Sequence, residues 1–198
     1  MEKQFIISVG REFGSGGHVI AEALGKRFQL PLYDTNLLEH IAEEKNIYHD
    51  NLKKYDEAPK NRLFSRTVRG HSNSIEEHIA YMQFDYLKNM ASQGKSFVIV
   101  GRCSEHVLKE YPGLISIFIV GDLEKKLERI MKIYDLSREE AKRMAEREDW
   151  KRKSYHNYYF KEKWGDSRYY DLVINSSRLG IDKTVDMLEY YIKARQKG

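Results

Sequence analysis

The sequence predicts an α/β protein in which helices cover both faces of a parallel sheet. Three observations lead there. Short, nearly continuous apolar runs rich in β-branched residues recur at Phe5–Val9, Phe97–Gly101 and Ile115–Val120, a pattern suited to strands buried on both faces. Between them lie segments whose apolar residues repeat at helical spacing. The two kinds of segment alternate along the chain, which calls for right-handed crossovers between parallel strands.

Each element follows from its own pattern. Phe5–Val9 is the first strand. Gly10, Gly14, Gly16 and Gly17 form a glycine-rich turn behind it, and Val19, Ile20, Ala23, Leu24 and Phe28 then mark one apolar face of a helix. Leu30–Tyr33 is a short strand ending at Asp34. Asn36–Glu44 reads as a helix with Leu37, Leu38 and Ile41 inward. Asn46–Gly70 is polar, basic and broken by Pro59, as expected of an inserted mobile lobe. Ile75–Ser92 is helical again, packing through Ile79, Met82, Tyr86, Leu87 and Met90. Phe97–Gly101 is the clearest central strand, with Arg102 at its end and a short helix around Glu105–Lys109. Ile115–Val120 is followed by a dense charged helical stretch from Asp122 to Lys153. Tyr170–Asn175 supplies the last strand and Val185–Ile192 the last helix.

Composition narrows the classes. The 198 residues carry 34 basic and 30 acidic side chains, a formal charge of +4, with 41% hydrophobic content. That balance tolerates anionic small molecules but is too mild to indicate a nucleic-acid partner. No apolar run is long enough to cross a bilayer, and FIISV leads into glycines and charge without a cleavage signal. The lone Cys103 forms no internal disulfide. A cytoplasmic protein is expected.

In a parallel sheet, ligands lie beyond the carboxyl ends of the strands. Arg11–His18, Asp34, Arg102 and Asn175 all fall on that edge. Glycine-loop amides at Gly14, Ser15, Gly16 and Gly17 can surround phosphate oxygens, and the helix behind adds partial positive charge. The Walker pattern G-x-x-x-x-G-K-[ST] would place lysine where Gly17 stands. An unliganded tight turn fits the same glycines.

The pieces ISVGREFGSGG, LPLYD, VIVGR, the arginine-rich charged segment and YYDLVINSS resemble the cytidylate-kinase-like group of P-loop nucleoside monophosphate kinases. The resemblance implies a three-layer P-loop NTPase-type fold with a five-stranded parallel sheet. It implies one kinase-like domain over 1–198, with a monophosphate-binding lobe within 35–92 and a helical lid within 122–168. The implied reaction moves the γ-phosphoryl group of ATP to CMP or dCMP, with Mg²⁺.

The departures are specific. Lysine is replaced by Gly17, and His18 and Val19 stand where a magnesium-facing hydroxyl is expected. Arg11, inside the loop, or Arg102, past a central strand, could replace the lysine; a salt bridge is the structural alternative for each. Asp34 matches the acidic residue of the monophosphate side, or caps the helix that follows. His40 stands where the family commonly has arginine. Arg62, Arg66 and Arg69 would share one helix face toward a substrate phosphate, or simply meet solvent. Arg143 and Arg147 lie four apart as lid arginines, with Arg152 beyond a bend. Asn175 would approach the nucleotide base, and Tyr155, Tyr158 and Tyr159 read first as packing.

Two function classes therefore stand: a kinase acting on a nucleoside monophosphate or another small acceptor, and a nucleotide- or phosphate-binding protein that has lost phosphoryl transfer. RNA association through the basic lobe and tyrosines stands behind both.

Overall fold

The structure, a computed structural model, describes residues 4–45, 67–68, 71–72 and 74–197. Its framework is one five-stranded parallel sheet. Strand β1 (Ile6–Arg11) leads through α1 (Gly17–Phe28) to β2 (Leu32–Tyr33) and α2 (Leu37–Lys45). A small antiparallel pair follows, β3 (Thr67–Val68) and β4 (His71–Ser72). Then come α3 (Ile75–Ser92), β5 (Phe97–Val100), α4 (Ser104–Val107), β6 (Leu114–Val120), α5 (Leu123–Tyr134), α6 (Arg138–Tyr159), β7 (Leu172–Asn175) and α7 (Ser176–Lys197). The sheet order is β2-β5-β1-β6-β7, with every neighbouring pair parallel.

Strand β1 is central and buried along its whole length. Its alternating residues feed two cores, as a pleated strand must. Ile6 packs with Leu37, Leu38 and Ile41 of α2, Ile79 and Leu87 of α3, and Phe97 and Ile99 of β5. Ile7 and Val9 face the other way, toward Ile20 and Leu24 of α1 and Val185, Leu188 and Ile192 of α7. A third cluster joins α5 to α6 through Leu127, Ile130, Ala141 and Ala145, with Phe13 of the glycine loop packed against it.

Several expectations shift. Arg11 is the last residue of β1 and not a loop residue, because the strand pairs with β6 as far as Ile119. The charged stretch is two helices: Asp135 turns left-handed after α5, and Ser137 opens α6 in a capping box with Glu140. Arg152 lies within α6, which runs unbroken to Tyr159, and not beyond a bend. The last helix begins at Ser176, nine residues earlier than expected, and kinks at Gly180. Val19 is exposed, leaving Ile20, Ala21 and Leu24 as the buried face of α1. Tyr155 is buried in the first core and Tyr159 packs against it, as their reading as packing residues anticipates.

Candidate active site

The glycine loop joins β1 to α1 at the carboxyl edge of the sheet. Gly16 caps α1 at φ 83°, a left-handed conformation that glycine adopts without strain. The first helical hydrogen bond runs from the Ile20 amide to the Gly16 carbonyl at 3.0 Å, so the amides of Gly17, His18 and Val19 lie ahead of the helical ladder. Ser15 is buried: its hydroxyl donates to the Glu12 carbonyl at 2.8 Å, and its own carbonyl accepts from the Ser176 hydroxyl at 2.6 Å. The loop is thus tied down from behind while its front faces a cleft of about 460 Å³.

The missing lysine has a steric cause. A Cβ built on Gly17 would stand 2.6 Å from the Cβ of Arg11, closer than non-bonded carbons approach. Arg11 occupies that space because β1 extends to it.

Asp34 organises one side of the cleft. Its carboxylate accepts from Arg102 Nη1 at 2.7 Å and Arg11 Nη2 at 3.5 Å, and lies 2.6 Å from His18 Nδ1. Arg102 is 1% exposed, Asp34 7% and Arg11 9%. Arg102 also donates to the Val100 carbonyl at 2.9 Å. Gly101, Arg102 and Cys103 all have positive φ, so the chain turns left-handed there and carries the arginine back into the core. Burial pushes the Asp34 carboxyl up, but the His18 hydrogen bond and the two guanidinium charges outweigh it and hold the group well below the usual carboxylate range. The same hydrogen bond to Asp34 raises His18 above its ordinary 6.5, against the opposing effects of burial and the Arg11 charge, with Glu22 adding to the rise. Two guanidiniums against one carboxylate leave net positive charge, increased when His18 is protonated.

A second, balanced group locks the loop to the helices beyond it. Lys126 of α5 is buried, with Nζ 3.0 Å from Glu12 and 3.5 Å from Asp149. Asp149 of α6 accepts from the Phe13 amide at 2.6 Å. Burial raises the Asp149 carboxyl above the usual range, against the Phe13 amide and the charges of Lys126 and Arg152. Arg152 donates to the Arg11 carbonyl at 3.4 Å and lies over the Phe13 ring. Arg129 of α5 donates to the Gly14 carbonyl at 2.6 Å. Ile130, Ile133 and Tyr134 complete an apolar wall with Val19.

The structure therefore gathers Arg11, Gly14, Gly16, Gly17, His18, Asp34 and Arg152 around one cleft, with Ser15 and Arg102 immediately behind. Arg143 and Arg147 are exposed on α6 and do not line it. His40 packs its ring edge-on to Tyr33. Asn175 donates to Asp122 at 2.7 Å and accepts from the Ser177 amide, bracing the β6–α5 turn. Arg62, Arg66 and Arg69 lie outside the described residues. Asp34 does not cap α2 through its side chain; its carboxylate serves the arginines. Sequence reasoning missed Lys126, Arg129 and the buried Glu105–His156 pair, which links α4 to α6 at 2.6 Å. Lys126 carried a signal, since it sits in the apolar stripe with Leu127 and Ile130; Arg129 carried none.

The model of the cytidylate kinase-like family matches residues 6–178. The chain belongs to that family. A solved structure of an uncharacterized protein from Eubacterium ventriosum is 36% identical, with a TM-score of 0.76 over 96% of this chain and 99% of that one. The shikimate kinase of Bacteroides thetaiotaomicron shares the fold, with a TM-score of 0.56 at 11% identity over 96% and 98% of the two chains. That of Acinetobacter baumannii, in complex with shikimate, gives 0.51 at 11% over 98% and 95%. Comparison with curated proteins gave no match. The fold is that of P-loop kinases, and the family is kinase-like. No helix among the described residues is long and apolar enough to cross a membrane.

Magnesium, which such a family implies, finds no ligand set among the described residues. One Asp34 oxygen is held by the two guanidiniums and the other by His18, the Ser15 hydroxyl is turned to the Glu12 carbonyl, and His18 and Val19 replace the loop hydroxyl. Among the described residues no group of three or more His, Cys, Asp or Glu side chains is arranged to hold a metal. The described residues do not fit a protein-held magnesium ion.

Three outcomes test this site. Gly17→Lys, which restores the Walker lysine in sequence, is expected to lower stability by about 1–3 kcal/mol through overpacking against Arg11, measured by denaturant unfolding. Asp34→Asn leaves two buried guanidiniums without their carboxylate and is expected to cost about 3–5 kcal/mol in the same assay. His18, followed by NMR, should titrate above 6.5. Because that value is raised on folding, its contribution is complete below 6.5 and fades as pH rises through the folded value. The contribution of Asp34, lowered on folding, is present above its ordinary 3.8 and fades as pH falls through its folded value. A midpoint for His18 below 6.5 would mean that burial outweighs the carboxylate.

Proposed function

We propose that the protein transfers the γ-phosphoryl group of ATP to a nucleoside monophosphate, CMP or dCMP. One observation carries the choice of a phosphate acceptor over an alcohol: Asp34, the one buried carboxylate among the described residues lining the cleft, is held by two arginines and a histidine. With its pKa so far depressed, Asp34 is a poor base for an alcohol proton. A phosphate monoester is largely ionised near neutral pH and needs no such base. Its oxygen attacks the γ-phosphorus, the bond to the β-bridging oxygen breaks, and the two nucleoside diphosphates leave.

In this reading the loop from Gly14 to His18 receives the donor phosphates. Arg11 and Arg102 set the positive potential through Asp34, and Arg152 approaches the transferring group from α6. Such positioning and charge stabilisation constitute most of the catalysis of phosphoryl transfer. The 35–92 segment, with His40, Arg62, Arg66 and Arg69, is assigned to the acceptor, and 122–168, with Arg143 and Arg147, to a lid. Asn175 is assigned to the side of the base. Membership of the cytidylate kinase-like family supports the acceptor class.

A second reading, nucleotide binding without transfer, is favoured by the loop's missing lysine and hydroxyl. An ADP-release assay over CMP, dCMP, UMP and AMP, with glycerol and other small alcohols as controls, separates the two. Turnover is expected with CMP or dCMP and not with the alcohols. Calorimetric affinity for nucleotides with no turnover across the panel would establish the second reading instead.

A further inference from the structure

The Walker pattern puts its cation in the loop itself, and here the contact between Gly17 and Arg11 forbids that. Arg11 and Arg102, the cations nearest in sequence logic, are both directed to Asp34. Lys126 and Arg152 are directed to Glu12 and Asp149. We infer that Arg129, projecting from α5, is the cation that holds the donor polyphosphate over the glycine loop. The inference rests on the kinase reading for the identity of the donor, but its geometry stands on its own.

Arg129 reaches the loop directly, with Nη1 2.6 Å from the Gly14 carbonyl it donates to. The same nitrogen lies 3.1 Å from where a Cβ on Gly16 would be, and Ile181 Cδ1 lies closer still to that point, so the guanidinium and Ile181 both pack close over the bare backbone there. Arg129 also forms part of the cleft wall, and none of the ion pairs just named involves it. A guanidinium carries five N–H donors in a planar fork, and the Gly14 carbonyl engages one edge of it. The fork suits phosphate oxygens and stays charged at every physiological pH.

Its position is fixed by packing. Arg129 is followed by Ile130, which is buried with Leu127 against α6 and Phe13, and a Cβ on Gly14 would come within 2.8 Å of Ile130 Cδ1. Helix α5 therefore presses on the loop from the side where Arg129 crosses it. The loop lysine of the usual pattern is replaced by an arginine delivered from a neighbouring helix.

The test uses the full chain and titration calorimetry with inorganic tripolyphosphate, ADP and adenosine. Arg129→Ala should weaken tripolyphosphate and ADP by roughly tenfold to a hundredfold and leave adenosine unchanged. Arg129→Lys should bind tripolyphosphate more tightly than Arg129→Gln, since both shorten the side chain and only the first keeps the charge; this comparison decides the matter if the alanine variant fails to fold. Unchanged tripolyphosphate affinity in the alanine variant, an equal loss for all three ligands, or equal affinity of the lysine and glutamine variants would overturn the assignment. Binding through Arg129 with no acceptor turned over refutes the kinase reading and leaves the assignment standing. Turnover of CMP with the donor KM unchanged in Arg129→Ala does the reverse. No binding of tripolyphosphate or ADP by the wild-type protein removes both.

Discussion

Asp34 held by two guanidiniums and a histidine is the constraint on which the site depends. The carboxylate is brought to the sheet edge by β2, Arg11 by β1 and Arg102 by the left-handed turn after β5. These three strands are adjacent in the sheet, so their ends converge without any loop having to reach. Burying two guanidiniums is costly, and only a well-placed partner offsets it. The ion group thus depends on the register of the sheet, and the positive potential over the loop depends on the ion group.

Seen this way, the altered loop is a consequence and not a defect. Extending β1 to Arg11 satisfies Asp34, and the arginine's first carbon then fills the space above Gly17. A side chain at position 17 and the Cβ of Arg11 on the strand exclude each other. Cationic side chains at the cleft come from neighbouring elements, so the charged groups around the loop are spread over β1, α1, α5 and α6.

Much of the architecture was legible in the sequence. The strands announced themselves as β-branched runs, and α3 was bounded correctly because Ser74 caps it and its apolar face keeps strict helical spacing. The boundary between α5 and α6 was obscured by the dense run of charged residues on both sides of it, although the Ser137–Glu140 capping box that marks it is a local signal. Of the site, the glycine turn, Asp34, Arg11, Arg102 and His18 were readable because strand ends share an edge. Which arginine points where was not, since that depends on φ at Arg102 and on how far β1 extends. Arg129 was invisible because proximity to Gly14 is purely tertiary, spanning 115 residues of sequence. Lys126 could have been suspected, as an ammonium in an apolar stripe requires buried carboxylates nearby.

The hydrogen bond from the Phe13 amide to Asp149 has a mechanical meaning. It joins the main chain just ahead of the glycine turn to the middle of the longest helix on that side, and Lys126 clamps the same joint through Glu12. Any swing of α6 must either drag the loop along or surrender a charge-assisted bond in a half-buried setting. Rearrangement of the one is thereby geared to the other, and a molecule gripping either end alters the energy of moving both.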